Sequence, residues 1–304
     1  MHVHHRTRTI DGVQVFYREA GSAGDPALVL LHGFPTSSHM FRHLIPALAS
    51  RFHVIAPDYP GFGQSEAPSP AVFRYTFDRL SEIVEKLLLE ELALPRFTLL
   101  MQDYGGPVGF RIATRHPEKV EGLIVQNSNA YEEGFTGFWN HLRQQYWRAP
   151  SPETEAPLRD ILTAGALRWI YTEGVADPER ISPDNWIVDQ AALQKPEAER
   201  IQLDLFYDYR TNVALYPAWQ AWLRTQRPPV LVVWGKNDPI FTPEGATAFR
   251  RDVPDAEVHF FDTGHFALEE ELSPIVAAIE EFHQRRIGRP AGLAALGSVG
   301  SRPS

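Results

Sequence analysis

Phe97-Thr98-Leu99-Leu100-Met101 is a short apolar run that leads into Gln102-Asp103-Tyr104-Gly105-Gly106 and then into a helical pattern from Val108 to His116. A buried strand, a tight turn and a helix in that order describe a nucleophile elbow. There a strained turn holds one side chain above a sheet, and a following glycine lets helix and strand approach closely. The residue at the tip is Asp103. Asp-x-Gly-Gly after a strand also describes an ordinary turn, in which the carboxylate bonds its own backbone, so the flanking sequence has to decide.

Outward from the elbow, apolar runs at 27–31 (ALVLL), 53–56, 97–101, 122–125 and 230–234 (VLVVW) alternate with amphipathic helical patterns. This rhythm predicts an α/β fold with a mostly parallel central sheet and helices on both faces. In the segment 78–90, Leu80, Ile83, Val84, Leu87 and Leu88 form one apolar stripe. Thr242-Pro243 and Ser273-Pro274 each read as an N-cap hydroxyl followed by proline at the first helical position. The second of these helices is expected to run to about 286, with Ile275, Val276, Ile279 and Phe282 facing in. From 131 to 209 the strand rhythm stops, and helical, Pro-broken, aromatic-rich sequence takes over. Two readings fit these aromatics: a helical lid over an apolar pocket, or a small core of the insertion itself. The expected organisation is a core of 1–130 and 210–287, a cap of 131–209 and a disordered tail of 288–304, rich in Gly, Ala, Ser, Pro and Arg.

Composition excludes several classes of function. The chain has 304 residues, 29 Lys+Arg against 38 Asp+Glu and a formal net charge of −9. That balance, with no basic run, argues against nucleic acid as a partner. No stretch is apolar enough for a membrane span, and the first ten residues lack a signal-peptide core, so a cytoplasmic protein is expected. Without cysteine there is no disulfide framework and no thiol nucleophile. His2, His4 and His5 are the one concentration of metal-ligating side chains, in a terminus expected to be frayed, and neither metal nor cofactor is expected. Gly61 and Gly63 precede a Pro-rich stretch rather than a helix, so they form no phosphate-binding loop.

Three further features favour chemistry over a simple turn. His32-Gly33-Phe34-Pro35 follows the first buried run, where a loop can aim the Phe34 N–H toward the elbow and pair it with the Tyr104 N–H. Two such donors make an oxyanion hole. Asp238 follows the run 230–234, and His265 follows the run 258–261. Nucleophile, acid and histidine, in that order and each at the carboxyl end of a strand, is the arrangement of the α/β-hydrolases. Over roughly 10–286, including Asp58-Tyr59-Pro60-Gly61-Phe62-Gly63-Gln64-Ser65, the sequence resembles that superfamily. Within it the likeness is to the aspartate-nucleophile branch of haloalkane dehalogenases, fluoroacetate dehalogenases and epoxide hydrolases.

The resemblance implies Asp103 as nucleophile, His265 as base, Asp238 as its orienting acid, and the N–H groups of Phe34 and Tyr104 as oxyanion hole. The chemistry of a carboxylate agrees. Against an ester it would form an anhydride less stable than the starting acyl group, whereas against an sp³ carbon with a leaving group it gives a stable alkyl ester. Water activated by His265 can then attack that ester at the Asp103 carbonyl carbon. The rival acid position after the preceding strand reads Gln126-Asn127-Ser128-Asn129 and holds no carboxylate, which favours Asp238.

The motifs are divided over the leaving group. Pro35-Thr36-Ser37-Ser38 and Gln102 look like haloalkane dehalogenases, whereas Phe34 within His-Gly-Phe-Pro looks like epoxide hydrolases. The Asn and Trp with which many dehalogenases grip halide are replaced by Phe34 and Tyr104, and the Arg clamp of fluoroacetate enzymes is also replaced by Tyr104. Family spacing implies Tyr209, in Asp208-Tyr209-Arg210, as a lid acid for an epoxide oxygen. Tyr146 is implied as a second acid or as one more core aromatic, and Trp147 as a halide contact. The expectation is hydrolysis of a small apolar epoxide by water. Haloalkane hydrolysis is the alternative, and a non-catalytic ligand-binding protein of the same fold the third.

Overall fold

A computed structural model describes residues 2–288, so the expected tail, Gly288 apart, lies outside the described residues. The strands are β1 (His4–Ile10), β2 (Val13–Ala20), β3 (Ala27–Leu31), β4 (His53–Pro57), β5 (Phe97–Gln102), β6 (Val120–Gln126), β7 (Val230–Gly235) and β8 (Glu257–Phe261). They form one sheet in the order β1-β2-β4-β3-β5-β6-β7-β8. The β1–β2 and β2–β4 pairs are antiparallel and all the others parallel. Strands β3 to β7 are buried except at the half-buried Glu121 of β6, because helices cover both faces of a parallel sheet. Their β-branched and leucine-rich runs are what such strands require.

The helices of eight or more residues, with the short α1 (Leu44–Leu48) before them, are α2 (Phe77–Lys86), α3 (Gly105–Arg115), α4 (Pro152–Asp160), α5 (Ala164–Thr172), α6 (Asp184–Leu193), α7 (Ala198–Asp208), α8 (Arg210–Gln226), α9 (Pro243–Asp252) and α10 (Leu272–Phe282). Every described element between β6 and β7 is helical, and this helical stretch continues past Tyr209 through α8.

The fold places a site where the strand order reverses. β3 is flanked by β4 on one side and β5 on the other, so the loops leaving β3 and β5 diverge above a crevice. Leu31 and Met101 are register partners, which sets the loop carrying Phe34 beside the turn carrying Asp103.

Three local expectations need correction. His4 and His5 are not frayed: they lie in β1, paired with Glu19 and Arg18, and Arg18 Nη1 lies 3.0 Å from His5 Nε2. α9 begins at Pro243 as the Thr-Pro signal predicts, but the Thr242 hydroxyl donates to the Glu133 carbonyl at 2.8 Å instead of capping the helix. α10 begins at Leu272, so Ser273 is inside its first turn and not its cap. Pro274 is still tolerated there, since no N–H is needed in the first turn.

Candidate active site

Asp103 follows β5 directly and has φ +48°, the left-handed conformation that an L residue adopts only when its surroundings impose it. The surroundings here are close-packed backbone. A Cβ on Gly105 would lie 2.1 Å from the Leu31 carbonyl oxygen, so only glycine lets α3 start so near β3. The Ser128 hydroxyl donates to the Asp103 carbonyl at 2.7 Å and pins the turn from the β6 side.

The carboxylate is held in a defined attitude. The Phe34 N–H donates to Asp103 Oδ1 at 2.8 Å, and the Tyr104 N–H favours the charged form of the same side chain. The other oxygen, Oδ2, lies 3.9 Å from His265 Nε2. Burial pushes the Asp103 carboxyl up to about 6, against the opposing pull of His265 and the two backbone donors. Asp103 is 4% exposed and His265 1%.

His265 follows β8, and its Nδ1 lies 2.9 Å from Asp238 Oδ2, the carboxylate that follows β7. With the proton on Nδ1, that nitrogen donates to Asp238 and Nε2 is left as an acceptor facing Asp103. Gln102 places its amide nitrogen 2.9 Å from Nε2, in keeping with that tautomer. Burial alone would lower the His265 pKa; the charge and hydrogen bond of Asp238, with the charge of Asp103, outweigh it and hold the ring above its ordinary value.

Asn127 had no role in the sequence reading beyond not being a carboxylate. In the structure its Nδ2 donates to Asp238 Oδ2 at 2.8 Å, and its Oδ1 accepts from the Gly235 N–H at 3.0 Å. The Ile240 N–H donates to Asp238 Oδ1 at 2.7 Å. Both oxygens of Asp238 are therefore satisfied, and one faces His265. The sequence signal was a polar run, Gln126-Asn127-Ser128-Asn129, directly after a buried strand, where polar side chains need partners.

His32, the first residue of the loop after β3, works on the backbone. Its ring stacks on Tyr59 at 4.1 Å between centroids, Nδ1 lies 3.1 Å from the Gly33 carbonyl, and Nε2 accepts from the Tyr59 N–H at 3.3 Å. Burial pushes it down to about 4, so it is neutral and fixes the loop that aims Phe34.

The aromatic residues divide sharply. The Tyr209 ring packs 6.1 Å from that of Tyr104, and neither buried phenol hydroxyl is bonded to a carbonyl or carboxylate, that of Tyr209 lying beside the Tyr216 hydroxyl. Burial first, then Tyr216 and Asp103, raise the Tyr209 pKa well above its ordinary value, so its hydroxyl keeps its proton. Tyr146 is not brought to Asp103 with a free hydroxyl: that group bonds the Leu203 carbonyl at 3.1 Å and Glu155 at 3.3 Å. Trp147 stacks on Tyr209, but its indole N–H is spent on the Phe206 carbonyl at 2.8 Å. Trp139, 4.4 Å from Tyr209 between ring centroids, likewise donates to the Ile240 carbonyl. Both corrections have one cause: a spacing rule finds a ring near the site but not the partner that its polar atom takes.

The family model for the alpha/beta hydrolase fold matches residues 26–272. The chain belongs to the α/β-hydrolase family. An uncharacterized hydrolase of Saccharomyces cerevisiae is 45% identical over 91% of this chain and 94% of its own length. Haloalkane dehalogenase 2 of Mycobacterium tuberculosis is 36% identical, covering 88% and 91%. Among solved structures, the epoxide hydrolase CorEH superposes with a TM-score of 0.75 at 23% identity, over 93% of this chain and 99% of that one, which speaks for the fold alone. These relatives make the chain a hydrolase related to haloalkane dehalogenases. No helix among the described residues is long and apolar enough to cross a membrane.

Proposed function

We propose that the protein hydrolyses a small apolar epoxide to a diol through an alkyl ester on Asp103, with the helical segment 131–209 as the lid over the site. The observation that carries the choice of leaving group is the division among the aromatic donors. The buried Tyr209 hydroxyl lies beside that of Tyr216 and is bonded to no carbonyl or carboxylate, whereas the indole N–H groups of Trp139 and Trp147 are bonded to carbonyls. An opening epoxide places charge on oxygen and needs an O–H acid, whereas a departing halide needs only polarised donors.

In the first step Asp103 Oδ2, the oxygen not held by Phe34, attacks an epoxide carbon. The C–O bond breaks and the alkoxide takes the Tyr209 proton. In the second, His265 Nε2 takes a proton from water as the water oxygen attacks Cγ of Asp103. The charge that develops on Oδ1 is already met by the Phe34 N–H, with the Tyr104 N–H acting on the same carboxylate, so little reorganisation is needed. Collapse releases the diol and regenerates the carboxylate, and the proton gained by His265 restores the Tyr209 phenol.

Electrostatics favours this order. In the resting enzyme the Asp103 charge helps to hold the His265 pKa up. Alkylation removes that charge and lowers the His265 pKa, so the ring is more fully in its neutral, proton-accepting form in the very state that needs a base.

The 36% identity to a haloalkane dehalogenase supports a second reading, C–halogen hydrolysis by the same ester. A panel of epoxides and 1-haloalkanes assayed side by side for diol and for halide separates the two. Diol without halide supports the first, and halide without diol replaces it.

A further inference from the structure

Arg111 sits in α3, on the helix that starts at the nucleophile, and its side chain is only 3% exposed. A buried guanidinium is costly unless its donors are met, and here they are met by groups from three directions. Nε bonds Asp78 in α2 at 2.5 Å. Nη1 bonds Asn212 Oδ1 at 2.7 Å and the Pro107 carbonyl at 3.2 Å, and Nη2 bonds the Thr211 hydroxyl at 3.1 Å. Thr211 and Asn212 open α8, immediately after Tyr209. The Asn212 N–H donates to the Tyr209 carbonyl at 2.9 Å, and the Thr211 hydroxyl to the Asp208 carbonyl at 2.8 Å.

The same contacts brace the Tyr209 ring. Asp208 accepts from the Phe77 N–H at 2.8 Å, and the Phe77 ring stands edge-on to Tyr209 at 5.6 Å and to Tyr104 at 4.9 Å. The Arg111 guanidinium lies over that Phe77 ring at 5.8 Å. One planar fork therefore ties the nucleophile helix, the start of α2 and the Asp208–Asn212 turn into a single unit.

The geometry points to Arg111 as a positioning residue that sets the distance between the Tyr209 hydroxyl and the Asp103 carboxylate, acting on ester formation and not on ester hydrolysis. The inference rests on Tyr209 as the leaving-group acid. A lysine carries the charge but not the fork, so it cannot hold Thr211 and Asn212 at once. A misplacement of about 1 Å costs about 10²-fold in a positioned reaction.

The test is single-turnover kinetics with styrene oxide, following the mass of the intact enzyme to resolve adduct formation from adduct decay. Arg111→Met and Asn212→Ala should slow formation about tenfold or more and leave decay unchanged, with Arg111→Lys close to Arg111→Met. In a Tyr209→Phe background neither should slow formation further. Asn212→Ala keeps the test alive if Arg111→Met does not fold. Equal loss in both half-reactions, or the full loss repeated in the Tyr209→Phe background, overturns the assignment and leaves Arg111 a structural brace. A Tyr209→Phe enzyme that is alkylated at the wild-type rate, or a wild type that forms no adduct, instead removes the acid role or the epoxide reading, and the inference with it.

Discussion

The Phe34 N–H points at Oδ1 of the nucleophilic candidate Asp103 from 2.8 Å in the unreacted protein. The donor that the proposed second step needs is thus already in place before the first, and Gly33 is what allows it. A Cβ at residue 33 would lie 2.3 Å from Asp103 Cβ and 2.5 Å from Oδ1. Gly33→Ala should therefore push the loop off the carboxylate and lower kcat by about 10²–10³-fold, the usual loss on removing one such donor. Steady-state rates on folded variant check this; an undiminished kcat would mean that the Phe34 N–H is not used.

A covalent ester predicts where water's oxygen goes. Over many turnovers in ¹⁸O water, label should enter the Asp103 carboxylate, because the attacked atom is its own Cγ. Peptide mass spectrometry decides it, and an unlabelled Asp103 beside a labelled product would mean direct attack of water on the substrate.

His265→Gln should still form the ester once and then stall, since a carboxylate needs no base to attack carbon. The enzyme mass should rise by that of the substrate. Asp238→Asn should slow the same second step by about 10²–10⁴-fold, as the imidazolium loses its carboxylate partner. A His265→Gln protein that binds substrate but gains no mass would reverse the assignment of steps.

The two half-reactions should differ in their acid limbs. Asp103 must be ionised to attack, and burial lifts it to about 6, so ester formation should fall roughly tenfold per pH unit below about 6. Ester hydrolysis needs neutral His265, whose pKa drops once the Asp103 charge is gone. Single-turnover profiles should therefore show hydrolysis holding to a lower pH than the His265 titration of the resting enzyme.

Stability carries the opposite signature at His32. Its folded pKa is pushed down to about 4 from 6.5, so between those values the unfolded chain binds more protons, and stability falls as pH falls. The contribution is fully present above 6.5 and is lost on approaching 4, a span on the order of 3 kcal/mol. Asp103, raised to about 6, gives stability in the other direction as it gains its proton, so the comparison must be with a variant. The advantage of wild type over His32→Phe in urea unfolding should shrink by about 2 kcal/mol from pH 7 to pH 5; an unchanged gap would mean that His32 is not held neutral by the fold.

The parts of this molecule that could be read without coordinates are those written in local chemistry. Buried parallel strands announce themselves as ALVLL and VLVVW, and the elbow as a strand running into Asp-Tyr-Gly-Gly. β1 escaped because His-His-Arg-Thr-Arg-Thr-Ile is a polar edge strand whose existence depends on pairing with β2. Asn127 escaped because its value lies in reaching Asp238, which is 111 residues away in sequence. Nothing in the sequence marks Arg111, since the acceptors that bury it come from Asp78 and Asn212, far apart in the chain. For Tyr146 and Trp147, spacing predicted proximity, but a leaving-group donor needs a free hydrogen, and theirs are taken by carbonyls and a carboxylate.

Tyr209 and Tyr146, the two tyrosines that family spacing implies, differ in what their hydroxyls bond. Tyr209 has a buried hydroxyl bonded to no carbonyl or carboxylate and under the influence of Asp103, so Tyr209→Phe should lower ester formation from an epoxide by about 10²–10⁴-fold, the usual cost of one acid. Ester hydrolysis, which does not involve the leaving oxygen, should be little changed. Tyr146→Phe should leave ester formation near wild type, because its hydroxyl already bonds Leu203 and Glu155, and should cost only about 1 kcal/mol of stability. Rapid-quench mass measurement on the two variants separates them. Equal losses would mean that the lid rearranges to free Tyr146 on binding. A Tyr209→Phe enzyme that releases halide from 1-haloalkanes at full rate while no epoxide yields diol would transfer the site to C–halogen cleavage. Two tyrosines that the chain places 63 positions apart would then both be structural, and the donors would have to come from the Phe34 and Tyr104 N–H side of the cleft.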